Sequence, residues 1–224
     1  MIKKEKVIAF DLDGTLINSA PDITSALNYV LIKNHLKPVS TNKVRNLIGN
    51  GAKALIRDSF LKQKSKIDNL DKLTFQFLSK YKKCFKEKTK LYPNTKTTVR
   101  LLHKNGYKLI LVSNKPEYYC IELLIHFGLL NYFVSVSGGD TFSYKKPNPK
   151  HLYNTIKKAG VKDYKCIFVG DSIYDLQCAN NANIPCILLS HGYNKINVNH
   201  LGAYKVIDNF KYLFDEVEFI YREL

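Results

Sequence analysis

The sequence predicts an α/β fold: a Rossmann-like parallel sheet core with an inserted helical cap. Three observations predict it. Short apolar runs recur along the chain, each ended by a polar cluster and followed by helical spacing, the pattern of buried parallel strands joined by helices. One long stretch after the first run is helical throughout. And 224 residues are long for one domain and short for two, which suits a core with a smaller module inserted. The expected division is a core of residues 1–17 and 90–224 around a helical module of residues 18–89.

The first strand is the run Val7, Ile8, Ala9, Phe10, stopped by Asp11-Leu12-Asp13-Gly14-Thr15-Leu16. Past the last ladder position the chain can turn, so Asp11 and Asp13 can face one pocket. Two acids that close repel unless a divalent cation lies between them or one holds a proton. Gly14 supplies the permissive backbone of a tight loop. By itself an Asp-Gly pair after a strand is an ordinary turn.

Residues 21–34 read as a helix, with Ile23, Ala26, Leu27, Val30 and Leu31 at three-and-four spacing. Pro38 marks the break, and Thr41 or Asn42 is the expected cap of the next helix. A short helix then closes at Gly49-Asn50-Gly51, a further helix covers 52–61, and residues 68–88 carry Leu70, Leu73, Phe77, Tyr81 and Cys84 on one stripe. Tyr92-Pro93-Asn94 returns the chain to alternation. Helices are expected over 95–105, 116–126, 149–159 and 174–182, and strands over 108–112, 133–136, 166–169 and 186–189, with Gly106 closing the first of these helices.

Three polar clusters begin where these strands end. Right-handed crossovers place all carboxyl ends on one edge, where ligands bind. Ser113-Asn114-Lys115-Pro116 offers a hydroxyl and main-chain N–H groups before a helix, a phosphate-oxygen site at Ser113 and Asn114. In Lys145-Lys146-Pro147-Asn148-Pro149 the prolines stiffen the loop and hold the lysine ahead of them. Asp171 and Asp175 share one side of a forming helical turn, the kind of oxygen pair a hard divalent cation takes.

In order and content, the four clusters resemble the motifs of the haloacid dehalogenase superfamily, most of whose members transfer phosphoryl groups through an aspartate. The resemblance implies Asp11 as nucleophile and Asp13 as general acid and base. It also implies Ser113 as the phosphate-binding hydroxyl, Lys146 as the neutralising lysine, and Mg²⁺ held by Asp11, Asp171 and the main-chain carbonyl of Asp13, with Asp175 in support. Within that superfamily, Asn-Ser-Ala-Pro-Asp-Ile (18–23), Val-Arg-Asn-Leu-Ile-Gly-Asn-Gly-Ala (44–52), Ser-Asn-Lys-Pro (113–116), His-Phe-Gly-Leu-Leu (126–130), Gly-Gly-Asp (138–140), Lys-Lys-Pro-Asn-Pro (145–149) and His-Gly-Tyr (191–193) resemble the phosphoglycolate phosphatases. Asn18 stands where that family often has Asp, and Ser113 where Thr is frequent. In the family, residues 18–89 are a cap over the site, with Gly49-Asn50-Gly51 on its substrate-facing loop. The implied substrate is 2-phosphoglycolate, and Arg45 beside that loop offers a bidentate fork for its carboxylate. A related phosphatase or a phosphoglucomutase-like enzyme on the same core is the alternative.

Composition bounds the other classes. The 35 basic and 19 acidic residues give a formal charge of +16, carried mostly by lysines spread over the whole chain. No basic stripe interleaves with stacking aromatics, so nucleic acid is not the expected partner, and a non-catalytic basic binding protein is the reading from another class. No apolar run reaches the 18 or so residues of a membrane span. The Lys3-Lys4-Glu5-Lys6 start lacks the apolar stretch of an export signal. Five cysteines without Cys-x-x-Cys pairing read as free thiols, and the expected location is the cytoplasm.

Overall fold

The computed structural model describes residues 4–193 and 198–223, so that Lys3 of the basic start lies outside the described residues. The chain runs β1 (Glu5–Phe10), β2 (Ile17–Asn18), α1 (Ala20–Lys33), α2 (Thr41–Arg45), α3 (Ala52–Lys62), α4 (Leu70–Cys84) and β3 (Lys90–Leu91). It continues through α5 (Thr95–Lys104), β4 (Lys108–Val112), α6 (Glu117–His126), β5 (Phe133–Ser137), α7 (Pro149–Lys158), β6 (Tyr164–Gly170), α8 (Ile173–Asn181), β7 (Cys186–Leu189), β8 (Lys205–Ile207) and α9 (Leu213–Glu223).

Six strands form one sheet in the order β5-β4-β1-β6-β7-β8, and every pairing in it is parallel. The strand alternation of side chains sorts the core into two layers. Ile8, Phe10, Leu109, Leu111, Ile167 and Val169 join the cluster under α5, α6 and α9. Val7, Ala9, Ile110, Val112, Cys166 and Phe168 join the one under α7 and α8. Helices on both faces of an all-parallel sheet explain why the strands read as unbroken apolar runs.

The strand order reverses at β1, which has β4 on one side and β6 on the other. Phe10 pairs with both Leu111 and Val169, so Ser113 and Asp171 leave the sheet at one level, one residue beyond Asp11. An open crevice at the carboxyl ends beside such a reversal is where α/β sheets bind ligands.

Between β1 and β4 stand helices α1 to α4, whose buried stripe of Leu73, Phe77, Tyr81 and Cys84 on α4 packs against α1. The two ends of this segment are tied. β2 and β3 pair antiparallel, Ile17 with Leu91 and Asn18 with Lys90. Beside them the buried Asp22 carboxylate accepts the main-chain N–H groups of Lys88 and Thr89 at 3.0 and 2.9 Å and the Thr89 hydroxyl at 2.7 Å. Charge-assisted bonds of this kind are about twice as strong as neutral ones.

Two sequence expectations shift. The N-cap of α2 is Ser40, one residue before Thr41, and no side chain caps that helix. β8 and α9 extend the fold beyond the expected elements. All five cysteines are free and buried. Among the described residues no helix is long and apolar enough to cross a membrane.

Candidate active site

Asp11 follows β1 directly, and its main-chain N–H still donates to Val169 of β6 at 3.0 Å, which fixes where its side chain leaves the sheet. The carboxylate is 7% exposed. Lys146 comes to it from the loop ahead of α7, 1% exposed, with Nζ 2.7 Å from Asp11 Oδ1 and 2.6 Å from Asp175 Oδ1. That loop is held from both sides. Asn148 caps α7 by accepting the Lys150 N–H at 2.9 Å, and Pro149 is the first helical residue. The Asn114 side chain accepts the Lys146 N–H at 3.0 Å and donates to the Lys146 carbonyl at 3.0 Å.

Its second amide proton goes to the Gly49 carbonyl at 2.8 Å. Both side-chain donors of Asn114 are thereby committed to main-chain acceptors. Asn114, expected beside Ser113 as a phosphate contact, is placed as a clamp that joins the helical segment to the lysine loop. Both residues line the cavity with Asp11 and Asp13.

Asp171, after β6, accepts the Thr15 hydroxyl at 2.8 Å on Oδ1 and the Tyr193 N–H at 2.7 Å on Oδ2. Gly14, at φ +91°, and Gly192 pack so closely on this carboxylate that a Cβ at either would fall on it. Asp175 is fully buried and spends Oδ2 on the N–H groups of Asp171 and Ser172 and on the Ser172 hydroxyl, which closes a capping box at the start of α8. Asp11, Asp171 and Asp175 each offer an oxygen within 4.8 Å of the others.

Asp13 goes elsewhere. Its carboxylate takes Lys115 Nζ at 3.0 and 3.1 Å and the Ser19 hydroxyl. Of the expected metal-binding set, Asp11 and Asp171 therefore meet, Asp175 is the third carboxylate beside them, and the Asp13 side chain is not part of the cluster but paired with Lys115. Ser19, at the N-cap of α1, makes no cap hydrogen bond because its hydroxyl serves Asp13.

The charges decide what this arrangement accepts. Four buried or nearly buried carboxylates face two ammoniums, Lys115 and Lys146, and two negative charges stay uncompensated. Burial, opposed by Lys146 and helped by Asp175, pushes Asp11 up to about 6. Burial, with Asp175 and Asp11 adding to it, raises Asp171 well above the usual carboxylate range. Burial alone would lower Lys146, but Asp11 and Asp175 hold it above its ordinary value. An excess of two negative charges on clustered oxygens is what a divalent cation matches.

The sign of the linkage follows. Asp11 ordinarily titrates near 4, so between about pH 4 and 6 the folded protein without metal binds a proton that the unfolded chain releases, and this group's contribution falls as pH rises through that window. A divalent cation displaces the same protons. With EDTA as reference, the rise in melting temperature on adding Mg²⁺ is expected to be larger at about pH 7.5 than at about pH 5. A rise of equal size at both would contradict the assignment of the cluster.

A cavity of about 60 Å³ opens over Asp11 and Asp13. Its other wall comes from the helical segment, with Ile48, Gly51, Leu55, Phe77 and Tyr81. Gly51 is thus at the cavity as expected, but Arg45 and Asn50 lie outside its lining. The Arg45 guanidinium sits 5.7 Å from the centre of the Tyr193 ring. The Asn50 carbonyl accepts Lys145 Nζ at 2.8 Å. Lys115, Ser19, Thr15 and Tyr81 are site residues to which no sequence signal gave a role.

Comparisons with known proteins show the family and the fold. A family model described as haloacid dehalogenase-like hydrolase matches residues 8–189. The phosphoglycolate phosphatase of Agrobacterium fabrum is 35% identical over 203 residues, 90% of this chain and 87% of that protein. That of Mesorhizobium japonicum is 34% identical over 213 residues, 94% of each. The crystal structure of a predicted phosphoglycolate phosphatase from Haemophilus somnus 129PT superposes with a TM-score of 0.88 at 31% identity, covering 96% of this chain and 99% of that one.

Proposed function

The chain belongs to the haloacid dehalogenase-like hydrolases and is a phosphatase, and on that premise we propose that it is a Mg²⁺-dependent phosphatase that hydrolyses 2-phosphoglycolate to glycolate and phosphate through an aspartyl-phosphate on Asp11. The observation that carries the reading is the Asp11 carboxylate held 2.7 Å from Lys146 at the sheet's reversal point, at the floor of a cavity it lines.

Asp11 attacks phosphorus and the ester P–O bond breaks, while Asp13 gives its proton to the departing alkoxide. Asp13 then takes a proton from water, whose oxygen attacks phosphorus and releases Asp11. Ser113 and Lys146 hold the phosphoryl oxygens, and Asp175 keeps Lys146 in place. Asp11, Asp171 and the Asp13 carbonyl would hold Mg²⁺, which would supply the positive charge that lets an anionic nucleophile approach a phosphate dianion. At 4 Å two like charges repel by about 4 kcal/mol at an effective dielectric near 20.

Residues 18–89 act as a cap over a core of 1–17 and 90–224. Two bridges support this: Asn114 to Gly49 and Lys145 to Asn50. The wall that the helical segment gives this cavity is apolar, with Ile48, Leu55 and Phe77, which offers a hexose no hydroxyl partners and disfavours a phosphoglucomutase.

The test is phosphate release from 2-phosphoglycolate, glycerol phosphate and glucose phosphates, with Mg²⁺ or EDTA. Preference for 2-phosphoglycolate, abolished by EDTA, is the expected result. Metal-dependent release that favours another ester would remove the substrate and keep the chemistry.

A further inference from the structure

Two polar groups in the cavity are not used by the phosphoryl-transfer steps. The first is the Tyr81 hydroxyl. Tyr81 is 2% exposed, yet its buried hydroxyl finds no acceptor for its proton among the described residues, the Lys115 ammonium beside it being only a donor. A buried donor without an acceptor is destabilising, so such a group in a binding cavity is unmatched until something enters.

Its position is fixed by packing. The ring stacks on Phe77, centroids 5.7 Å apart and 6° from parallel, and meets the edge of Tyr119 at 5.1 Å. The second group is Lys115, whose Nζ lies 4.7 Å from the centre of the Tyr81 ring. An ammonium has three protons, and Asp13 accounts for two directions. A phenol from α4 and an ammonium from the loop after β4 thus converge at a cavity wall that they share with Asp13 and to which Lys146 and Asp175 do not contribute.

We propose that the Tyr81 hydroxyl, with Lys115 beside it, recognises a carboxylate attached directly to the ester carbon of the leaving group, so that this pair selects phosphate esters of 2-hydroxy acids. The inference rests on the phosphatase reading of the site and names how its leaving group is chosen. A carboxylate offers two acceptor oxygens, one for each donor. The apolar wall of Ile48, Leu55 and Phe77 fits the short carbon link and disfavours a polyol. Because Tyr81 belongs to the helical segment and Lys115 to the sheet's edge, the subsite is complete only with the two together.

Tyr81→Phe removes the hydroxyl and keeps the ring, so the aromatic stack persists. The measurement is kcat/KM of wild type and Tyr81→Phe on 2-phosphoglycolate, 2-phospholactate and ethyl phosphate, the last having two carbons and no carboxylate. The substitution is expected to lower kcat/KM on the carboxylate-bearing esters about tenfold, mostly through KM, and to change ethyl phosphate less than about twofold. Inhibition by free glycolate should weaken in parallel.

If wild type prefers 2-phosphoglycolate and Tyr81→Phe keeps that preference, the subsite is overturned and the substrate reading stands. If wild type prefers 2-phospholactate and the variant loses that preference, the subsite stands and the substrate reading falls. If wild type does not favour a carboxylate-bearing ester over ethyl phosphate, both fall.

Discussion

Asp11→Asn is expected to lose phosphate release by about four orders of magnitude or more while melting at the same temperature as wild type or slightly higher. The two halves of this result have one cause. Asp11 sits in a crevice with Asp13, Asp171 and Asp175, and burial makes its charged form unfavourable enough to push it up to about 6. At neutral pH the folded protein therefore holds an anion that it would rather have neutral. Asparagine is near in shape and carries no charge, so the fold gains what the nucleophile was costing it. Lys146 keeps Asp175 at 2.6 Å and stays paired. Activity is measured by phosphate release and stability by thermal melting. A variant that is inactive because it is unfolded would contradict this account, as would one that keeps a substantial rate.

The opposite outcome is expected for Lys146→Met. Among the described residues Lys146 is the sole ammonium between Asp11 and Asp175, at 2.7 and 2.6 Å, and is 1% exposed. Removing one partner of a buried ion pair leaves uncompensated charge and costs about 3–5 kcal/mol. For a chain of this length that corresponds to a fall of roughly 10 °C in melting temperature. The loss should be smaller at about pH 5 than at about pH 8, because Asp11, pushed up to about 6 by burial, takes a proton there and the repulsion is relieved. Melting near the wild-type temperature across that range would show that the acids do not depend on this lysine. Both activity and stability fall in this variant, in contrast to Asp11→Asn, and the pair separates the two roles of the cluster.

The residues that made the site legible in the sequence are those whose signal is local. Val7 to Phe10 is an apolar run stopped by Asp11, and the same break recurs at Ser113 and Asp171, because a parallel strand must be apolar where it is buried and becomes polar at its end. What was not legible has a partner far along the chain. Lys115 lies inside the quoted Ser113–Pro116 run, but its partner Asp13 is 102 residues away. Tyr81 was placed on the core stripe of α4 by spacing, and it is there. Spacing does not say that its hydroxyl ends at a cavity wall.

Short elements were hidden for another reason. β8 has three residues, of which only Ile207 is buried, so no alternation could develop. β2 and β3 have two residues each and exist because they pair with one another across the whole helical segment. Arg45 illustrates the limit of reasoning from neighbourhood in sequence. It stands close to Gly51 along the chain, yet its side chain lies over Tyr193, outside the cavity that Gly51 lines.

The most direct test of the central claim is to quench the enzyme in acid during turnover of 2-phosphoglycolate with Mg²⁺ and to map covalent phosphate by mass spectrometry. The expected result is a hydroxylamine-labile phosphoryl group on the peptide that contains Asp11, absent from Asp11→Asn and from the EDTA control. Turnover with no phosphoryl group on that peptide, or with one on another residue, would contradict the assignment of Asp11 as nucleophile.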